Sequence, residues 1–320
     1  MTRIAAVTGA TGIVGKRIVE LLISDGFRVR ILTRKLGYEV KDDIEIVYGD
    51  LSNSVILERL VNGVDLLFHC AAELNNTAVM EAVNVTGTRN LITAAKKAKI
   101  QVFCHMSSAG VIGRTNGIWA DETTECHPQN TYERTKYLAE QLVLQNTFAE
   151  HTFILRPTNV VSETKLGPLI YVINNSFVNR LKLFLKGNER AHMIHAKDVA
   201  EATIFCTKNV PKSKECNSTF AGSISAPCIF ILSLDHEVNN SIATVCQNFL
   251  KLKRQGSVLL RFSLPWKFPY YLRKLIGRPC NRGDLNYSSA KLLTTGFRYS
   301  LGLEGTLKDL SEHTYHQREH

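Results

Sequence analysis

The sequence predicts an α/β fold: a doubly wound parallel sheet carrying a smaller, mostly C-terminal lobe. Three observations point there. Short apolar runs alternate with helical patterns through the first half, spaced glycines join the first strand to the first helix, and seven of the eight prolines fall from Pro157 onward. Alternation of this kind makes successive strands parallel, because each crossover helix returns the chain to the same end of the sheet. Ile4–Val7 is the first strand, followed by the glycine turn and a helical pattern over Gly15–Ser24. Arg28–Thr33 and Ile44–Tyr48 are further strands, rich in β-branched residues. Val55–Val61 is helical and Leu66–Cys70 an apolar strand. Val79–Ala98 reads as one longer helix whose lysine-rich last turn suits its carbonyl end. Val102–Met106 is a strand, Thr131–Gln145 a helix, and Thr152–Leu155 a strand leading into Arg156 and Pro157.

The proline-rich second half reads as loop-rich structure decorating the sheet. The expected division is a core over residues 1–157 and a substrate lobe over 158–320 interleaved with the last core elements. Gly283–Lys291 reads as a closing strand or turn and Leu301–Leu310 as a terminal helix. Arg261–Gly277 mixes aromatic and basic residues. Two placements stay open for it: a lobe helix shielding a substrate pocket, or a segment lying on a membrane surface.

Composition narrows the classes. With 44% hydrophobic and 21% charged residues over 320 positions, the chain is globular rather than disordered. No apolar run reaches the roughly 20 residues that cross a bilayer. The N-terminus runs straight into a strand, so no leader is expected and the location predicted is cytoplasmic. None of the eight cysteines lies in a C-x-x-C pair, and the histidines are scattered, His236, His313, His316 and His320 toward the C-terminal end. Free thiols and no metal site are the expectation. Lysine plus arginine outnumber acids 39 to 29, a formal charge of +10 that favours anionic partners such as dinucleotides and nucleotide sugars. The basic residues are spread, with no arginine-rich tract or stacking motif, which argues against nucleic acid.

Residues 8–15 read Thr-Gly-Ala-Thr-Gly-Ile-Val-Gly. Gly9, Gly12 and Gly15 sit between a strand and a helix, where missing side chains allow a tight turn and close approach of a pyrophosphate. The helix start adds free N–H groups and a positive dipole end. The next strand ends in Arg34 and Lys35 rather than in a carboxylate. A guanidinium there suits a 2′-phosphate, so the cofactor expected is NADP or NAD, with NADP favoured; a solvated surface arginine is the alternative. Asp50 follows the third strand, placed either to meet an adenine amine or to close a turn.

Tyr132 and Lys136 lie four apart in the helical stretch 131–145 and so share a face. A phenol titrates at about 10, and an ammonium beside it is expected to lower that value, so that the phenol trades protons near neutral pH. Ser107 and Ser108 follow the strand Val102–Met106, where sheets of this kind line a ligand crevice. The glycine turn, the serines and the Tyr–Lys pair occur in that order along the chain.

At this point the chain resembles the extended short-chain dehydrogenase/reductase family, of the NAD(P)-dependent epimerase/dehydratase type. The matching stretches are TGATGIVG (8–15), GDL (49–51), FHCAA (68–72) and NVTGTRNL (84–91), then SSAGVIG (107–113), YERTK (132–136), LRPTNV (155–160) and MIHAKDVA (193–200). The resemblance implies a Rossmann-like fold. It also implies Ser108, Tyr132 and Lys136 as catalytic residues, with Tyr132 and Lys136 also touching the cofactor. Thr11, Ile13 and Val14 join the glycines in the pyrophosphate turn; Asp50 and Leu51 meet the adenine; Ala71 and Ala72 lie beneath the ribose; Asn84 supports the nicotinamide side; and Asn159 touches substrate. Two departures narrow the reaction. Ala109 and Gly110 follow Ser108 where sugar-nucleotide dehydratases carry an Asp-Glu pair, which excludes dehydration. Ala191 stands where many nucleotide-sugar enzymes hold phosphate with arginine.

The expected function is hydride transfer at a carbinol or keto carbon of a nucleotide sugar, giving epimerisation or reduction. The alternative enzyme is a ketoreductase or 3-beta-hydroxysteroid-dehydrogenase-like protein acting on a hydrophobic alcohol. A cofactor-sensing protein without turnover is the third reading, and the intact Ser108–Tyr132–Lys136 set opposes it. The resemblance also implies a homodimer through the helices 79–98 and 131–145.

Overall fold

The computed structural model describes residues 3–35, 37, 43–174, 176–208, 226–254, 263–277 and 281–313. His316, His320, Cys216, Cys280 and the segment start Arg261 lie outside them. Along the chain run β1 (Ile4–Thr8), α1 (Ile13–Ser24), β2 (Arg28–Thr33), β3 (Ile44–Tyr48), α2 (Ser54–Val61), β4 (Leu66–His69), a π-helical turn over Glu81–Thr86, α3 (Gly87–Ala95), β5 (Val102–Met106) and β6 (Trp119–Ala120). Then follow α4 (Thr131–Gln145), β7 (His151–Pro157), β8 (Asn159–Val161), α5 (Ile170–Ile173), α6 (Phe177–Lys186), β9 (Met193–His195), α7 (Ala196–Lys208) and β10 (Cys228–Leu232). The last elements are α8 (Ile242–Leu252), α9 (Lys267–Leu275), β11 (Asn286–Tyr287), α10 (Ala290–Thr294) and α11 (Gly302–His313).

The chain divides into two compact units: Met1–Val111 with Asn130–Arg156 and Val199–Phe230, and Ile112–Gln129 with Pro157–Asp198 and Ile231–His320. The first unit is built on the seven-stranded sheet, in the order β10-β7-β5-β4-β1-β2-β3. Its pairings from β3 through β7 are parallel, as the β/α alternation predicts. From β1 the chain winds outward to β2 and β3, then returns to β4 on the other side. The switch therefore falls between β1 and β4, whose last residues, Thr8 and His69, are in register. Ligands of doubly wound sheets bind at such a point. Helices cover the sheet, which is why β4 and β5 are buried at every position and read as unbroken apolar runs. Buried Arg30 is the exception on β2: it pairs with Glu45 at 2.9 Å and donates to the carbonyls of Arg59, Leu60 and Asn62 at the end of α2. A cation there satisfies carbonyls that the helix leaves open.

One element differs from expectation. The helix read over 79–98 opens instead as the π-helical turn. The Gly87 N–H reaches back five residues to the Ala82 carbonyl, and the Thr88 hydroxyl donates to the Asn84 carbonyl at 2.6 Å. Gly87 makes room for this, since a Cβ there would lie 2.8 Å from Leu51 Cβ.

In the second unit β8 pairs with β9 and β6 with β11, each in parallel. Buried Asp198 accepts from the Ser300 hydroxyl and the Leu301 and Gly302 amides, and Glu237 accepts from the Leu303 amide. Together they seat the N-terminal end of α11, where carboxylates complement the dipole.

Candidate active site

The glycine turn is closed by packing. Gly9 has φ +71°, and a Cβ on it would stand 2.6 Å from the Ala71 amide nitrogen. A Cβ on Gly15 would stand 2.2 Å from the Gly9 carbonyl oxygen. Gly12 caps α1 without a side-chain bond. The first-turn amides around Ile13 and Val14 therefore meet no capping side chain, and with exposed Thr11 they form a backbone cradle of positive potential. A tightly packed glycine turn that leaves the first-turn amides of α1 uncapped fits the pyrophosphate of a dinucleotide.

The adenosine end is more mixed. Asp50 accepts from the Ser52 amide at 2.8 Å and the Ser52 hydroxyl at 2.5 Å, bonds that hold its carboxyl below the usual range. It closes the turn before α2, while Asn53 caps that helix by accepting from the Ile56 amide. Leu51 is buried, with its carbonyl bonded by the Asn90 side chain. Arg34 is exposed just past β2; its charge adds only slightly to the lowering of Asp50 by Ser52 and of Glu73 by the Asn76 and Asn75 amides.

Ser108 and Tyr132 come together. The Ser108 hydroxyl that follows β5 lies beside the phenol of Tyr132, on the first turn of α4, and acts to lower its pKa. Asn130 caps α4 by accepting from the Glu133 amide at 2.9 Å, which fixes the start of that turn. One turn on, Lys136 is buried and donates its ammonium to the Met106 carbonyl. Burial pushes Lys136 down to about 8. The phenol departs from expectation: burial raises it, the Ser108 hydroxyl only partly opposing. The ammonium that was to lower it is spent on a main-chain carbonyl.

A further turn along α4, Glu140 is fully buried. It accepts from the Ser107 hydroxyl at 2.7 Å and from Arg156 at 3.1 and 2.5 Å. Tyr132, Lys136 and Glu140 thus form one stripe at four-residue spacing, pinned by Arg156 from β7. The sequence singled out Tyr132 and Lys136 but not Glu140; its spacing is the signal that finds it.

Sequence reasoning also missed a buried polar chain leading from the glycine turn. The Ala71 amide donates to Thr8 Oγ1, which bonds His69 Nδ1 at 2.7 Å; His69 Nε2 bonds Thr88 Oγ1 at 2.9 Å. Because the Thr88 proton goes to the Asn84 carbonyl, His69 must donate through Nε2 and accept at Nδ1. Burial holds this ring neutral, near 3. Asn84 then donates to Thr135 Oγ1 at 3.1 Å and holds both main-chain groups of Glu73. Thr135 donates to the Tyr132 carbonyl at 3.0 Å. Ala71 lies against Gly9 at this chain's head, with Ala72 half-buried beside it.

Asn159 belongs to the second unit, where its amide donates to the His192 carbonyl at 2.8 Å. His192 takes φ +52°, and its Nδ1 meets buried Asp235 at 2.6 Å. Asp235 also accepts from the Tyr287 amide and the Asn240 side chain. No group of three or more metal-ligating residues occurs among the described residues, and none of their helices is long and apolar enough to cross a membrane.

Residues 5–217 match the NAD dependent epimerase/dehydratase family. The chain is similar to the sterol demethylase protein B of Methylococcus capsulatus, 31% identical over 206 residues, which is 60% of each chain. It is 25% identical over 298 residues to the decarboxylating sterol-4-alpha-carboxylate 3-dehydrogenase of Saccharomyces cerevisiae, covering 85% of this chain and 83% of that one. The match thus spans less than two thirds of the first relative's length and most of the second's. Among solved structures, the Bordetella bronchiseptica enzyme WbmH, crystallised with NAD+, has a similar fold, with a TM-score of 0.75 at 16% identity over 99% of this chain and 100% of that one. The chain belongs to the NAD dependent epimerase/dehydratase family, an enzyme family built on nicotinamide redox chemistry.

Proposed function

We propose that this enzyme interconverts a secondary alcohol and its ketone on a hydrophobic ring system of the sterol class. Tyr132 moves the proton and Ser108 holds the reacting oxygen. The observation that carries the chemistry is the Ser108 hydroxyl beside the Tyr132 phenol, where it lowers the phenol's pKa against the effect of burial. Two hydroxyls side by side are placed to meet a single substrate oxygen between them. The substrate class rests on relatives named for sterol dehydrogenation and on Ala191 standing where phosphate-holding arginine is expected.

The cofactor, when bound, supplies hydride transfer at the carbinol carbon. The chain's own residues do the rest. The turn from Gly9 to Gly15 and the start of α1 would hold the pyrophosphate, and Arg34 would meet a 2′-phosphate. The Asn84–Thr135 bond steadies the first turn of α4. Raised by burial, the phenol keeps its proton at neutral pH, and in the reducing direction it donates that proton to the forming alkoxide. In the oxidising direction it must release it, and the Lys136 ammonium, one turn away, is the charge that stabilises the phenolate.

Nucleotide-sugar epimerisation is the second reading, favoured by the basic charge of +10. A homodimer through the α3 and α4 helices belongs to the proposal and is checked by sedimentation. The deciding assay follows nicotinamide absorbance with a sterol alcohol and NAD+ or NADP+, beside UDP-hexose interconversion without added cofactor. Sterol-dependent reduction of the cofactor supports the first reading, and hexose interconversion alone selects the second. Tyr132→Phe should abolish either turnover while sparing cofactor binding; undiminished turnover would refute the role given to the phenol.

A further inference from the structure

The second unit carries two helices whose charge and apolar faces are arranged the wrong way round for a water-exposed surface. In α9 and its C-terminal cap, Phe268, Tyr271, Leu272, Leu275 and Ile276 recur at helical spacing, all exposed, Leu275 to 84%. Only Pro269 of this helix is buried. An amphipathic surface helix ordinarily turns that stripe to the core. In α6 the buried side is Asn179 and Leu183, while Phe177, Val178 and Leu181 are exposed. The two helices flank one open cleft of about 200 Å³, lined by Lys182, Leu185 and Lys186 from α6 and by Phe268, Leu272 and Arg273 from α9.

Charge says what covers this face. Neither helix contains a carboxylate; each contains three cations, Arg180, Lys182 and Lys186 in α6 and Lys267, Arg273 and Lys274 in α9. Arg273 is held by Glu189 at 2.6 Å. Lys182, Lys267 and Lys274 are exposed among the apolar side chains. A second copy of the chain laid on this face about a two-fold axis would bring like charges together. An anionic surface that is also apolar a few ångströms down satisfies both features at once. That is a bilayer bearing acidic lipid, in which basic residues meet headgroups while phenyl and leucyl groups enter the acyl boundary.

We propose that the α6–α9 face docks on anionic membrane surfaces, placing the enzyme at the bilayer. This goes beyond the reaction proposed above and stands or falls independently of it. The test is cosedimentation of the full chain with phosphatidylcholine vesicles containing roughly one-third phosphatidylserine, against phosphatidylcholine alone. The expected result is pelleting with the anionic vesicles, weakened by salt. At about 1 kcal/mol per basic residue, Lys267→Gln with Lys274→Gln should weaken binding about 25-fold, at 1.4 kcal/mol per factor of ten. Leu275→Ser with Ile276→Ser should also release the protein from vesicles, and its circular dichroism should be unchanged because both side chains are exposed. Absence of pelleting, or pelleting indifferent to both pairs of substitutions, overturns the proposal. Two further outcomes overturn it as well. Self-association abolished by the Leu275 and Ile276 pair would mean a protein–protein contact. Binding to soluble polyglutamate as tight as to vesicles, and insensitive to that pair, would mean an acidic polypeptide partner.

Discussion

Replacing Lys136 with methionine separates the catalytic and structural roles of one buried charge. The side chain is 3% exposed, and burial moves its ammonium from an ordinary 10.5 to about 8. At about 1.4 kcal/mol per tenfold change in proton affinity, that difference amounts to about 3 kcal/mol. The unfolded chain keeps its proton up to 10.5, whereas the folded chain releases it near 8. Between those values the unfolded state binds more protons, so stability rises with pH. From pH 7 to pH 9 the wild type should gain about 1.3 kcal/mol relative to Lys136→Met, which has no proton to lose there. Urea denaturation of both proteins at the two pH values reads this directly, because all other titrations cancel in the difference. Turnover should be lost in the variant at both. Stability curves that stay parallel from pH 7 to pH 9 would show that the ammonium is not desolvated, and the account of this site would fail with it.

Other perturbations test other parts. Gly9→Ala combines a left-handed φ with a contact of 2.6 Å to main chain, so cofactor affinity, read by fluorescence titration, should fall about tenfold or more. Gly26→Ala, equally left-handed at φ +80° but with open space around it, should cost about 1 kcal/mol of stability and leave binding unchanged. Glu140→Gln leaves buried Arg156 short of its counter-charge and should cost about 3 kcal/mol or more in urea denaturation. Arg34→Ala should lower NADP affinity about tenfold and leave NAD within twofold; equal losses for both would remove the phosphate role.

The parts legible in sequence share a physical cause. A continuous apolar run marks a strand covered on both faces, so β5 lies where the pattern put it, and β2 and β3 lie where their β-branched residues did. The helix Thr131–Gln145 was equally plain. What stayed hidden depends on pairings across space. Thr8 and His69 are 61 residues apart and meet only through strand register. The Glu140–Arg156 pair joins a helix to a strand through side chains of ordinary type. The six residues of the π-helical turn are too few for a change of helical period to show in an apolar pattern. The phenol's upward displacement was missed because charge effects depend on where a long, flexible amine ends up. Tyr132 and Lys136 share a helix face, yet the amine reaches the Met106 carbonyl.

That π-helical turn is, in effect, one residue of surplus chain wound into a helix. Deleting a residue between 81 and 83 would relax it toward the ordinary 3.6-residue winding and lengthen α3 backward. The flanking segments would keep their facing, and Asn84, inside the turn, would rotate by a fraction of the roughly 100° that one residue spans. Glu73, whose main chain Asn84 grips on both sides, would be dragged off its anchor. Local regularity would improve while the loop after β4 lost its hold, so the irregular winding serves as a spacer that sets the reach between loop and helix.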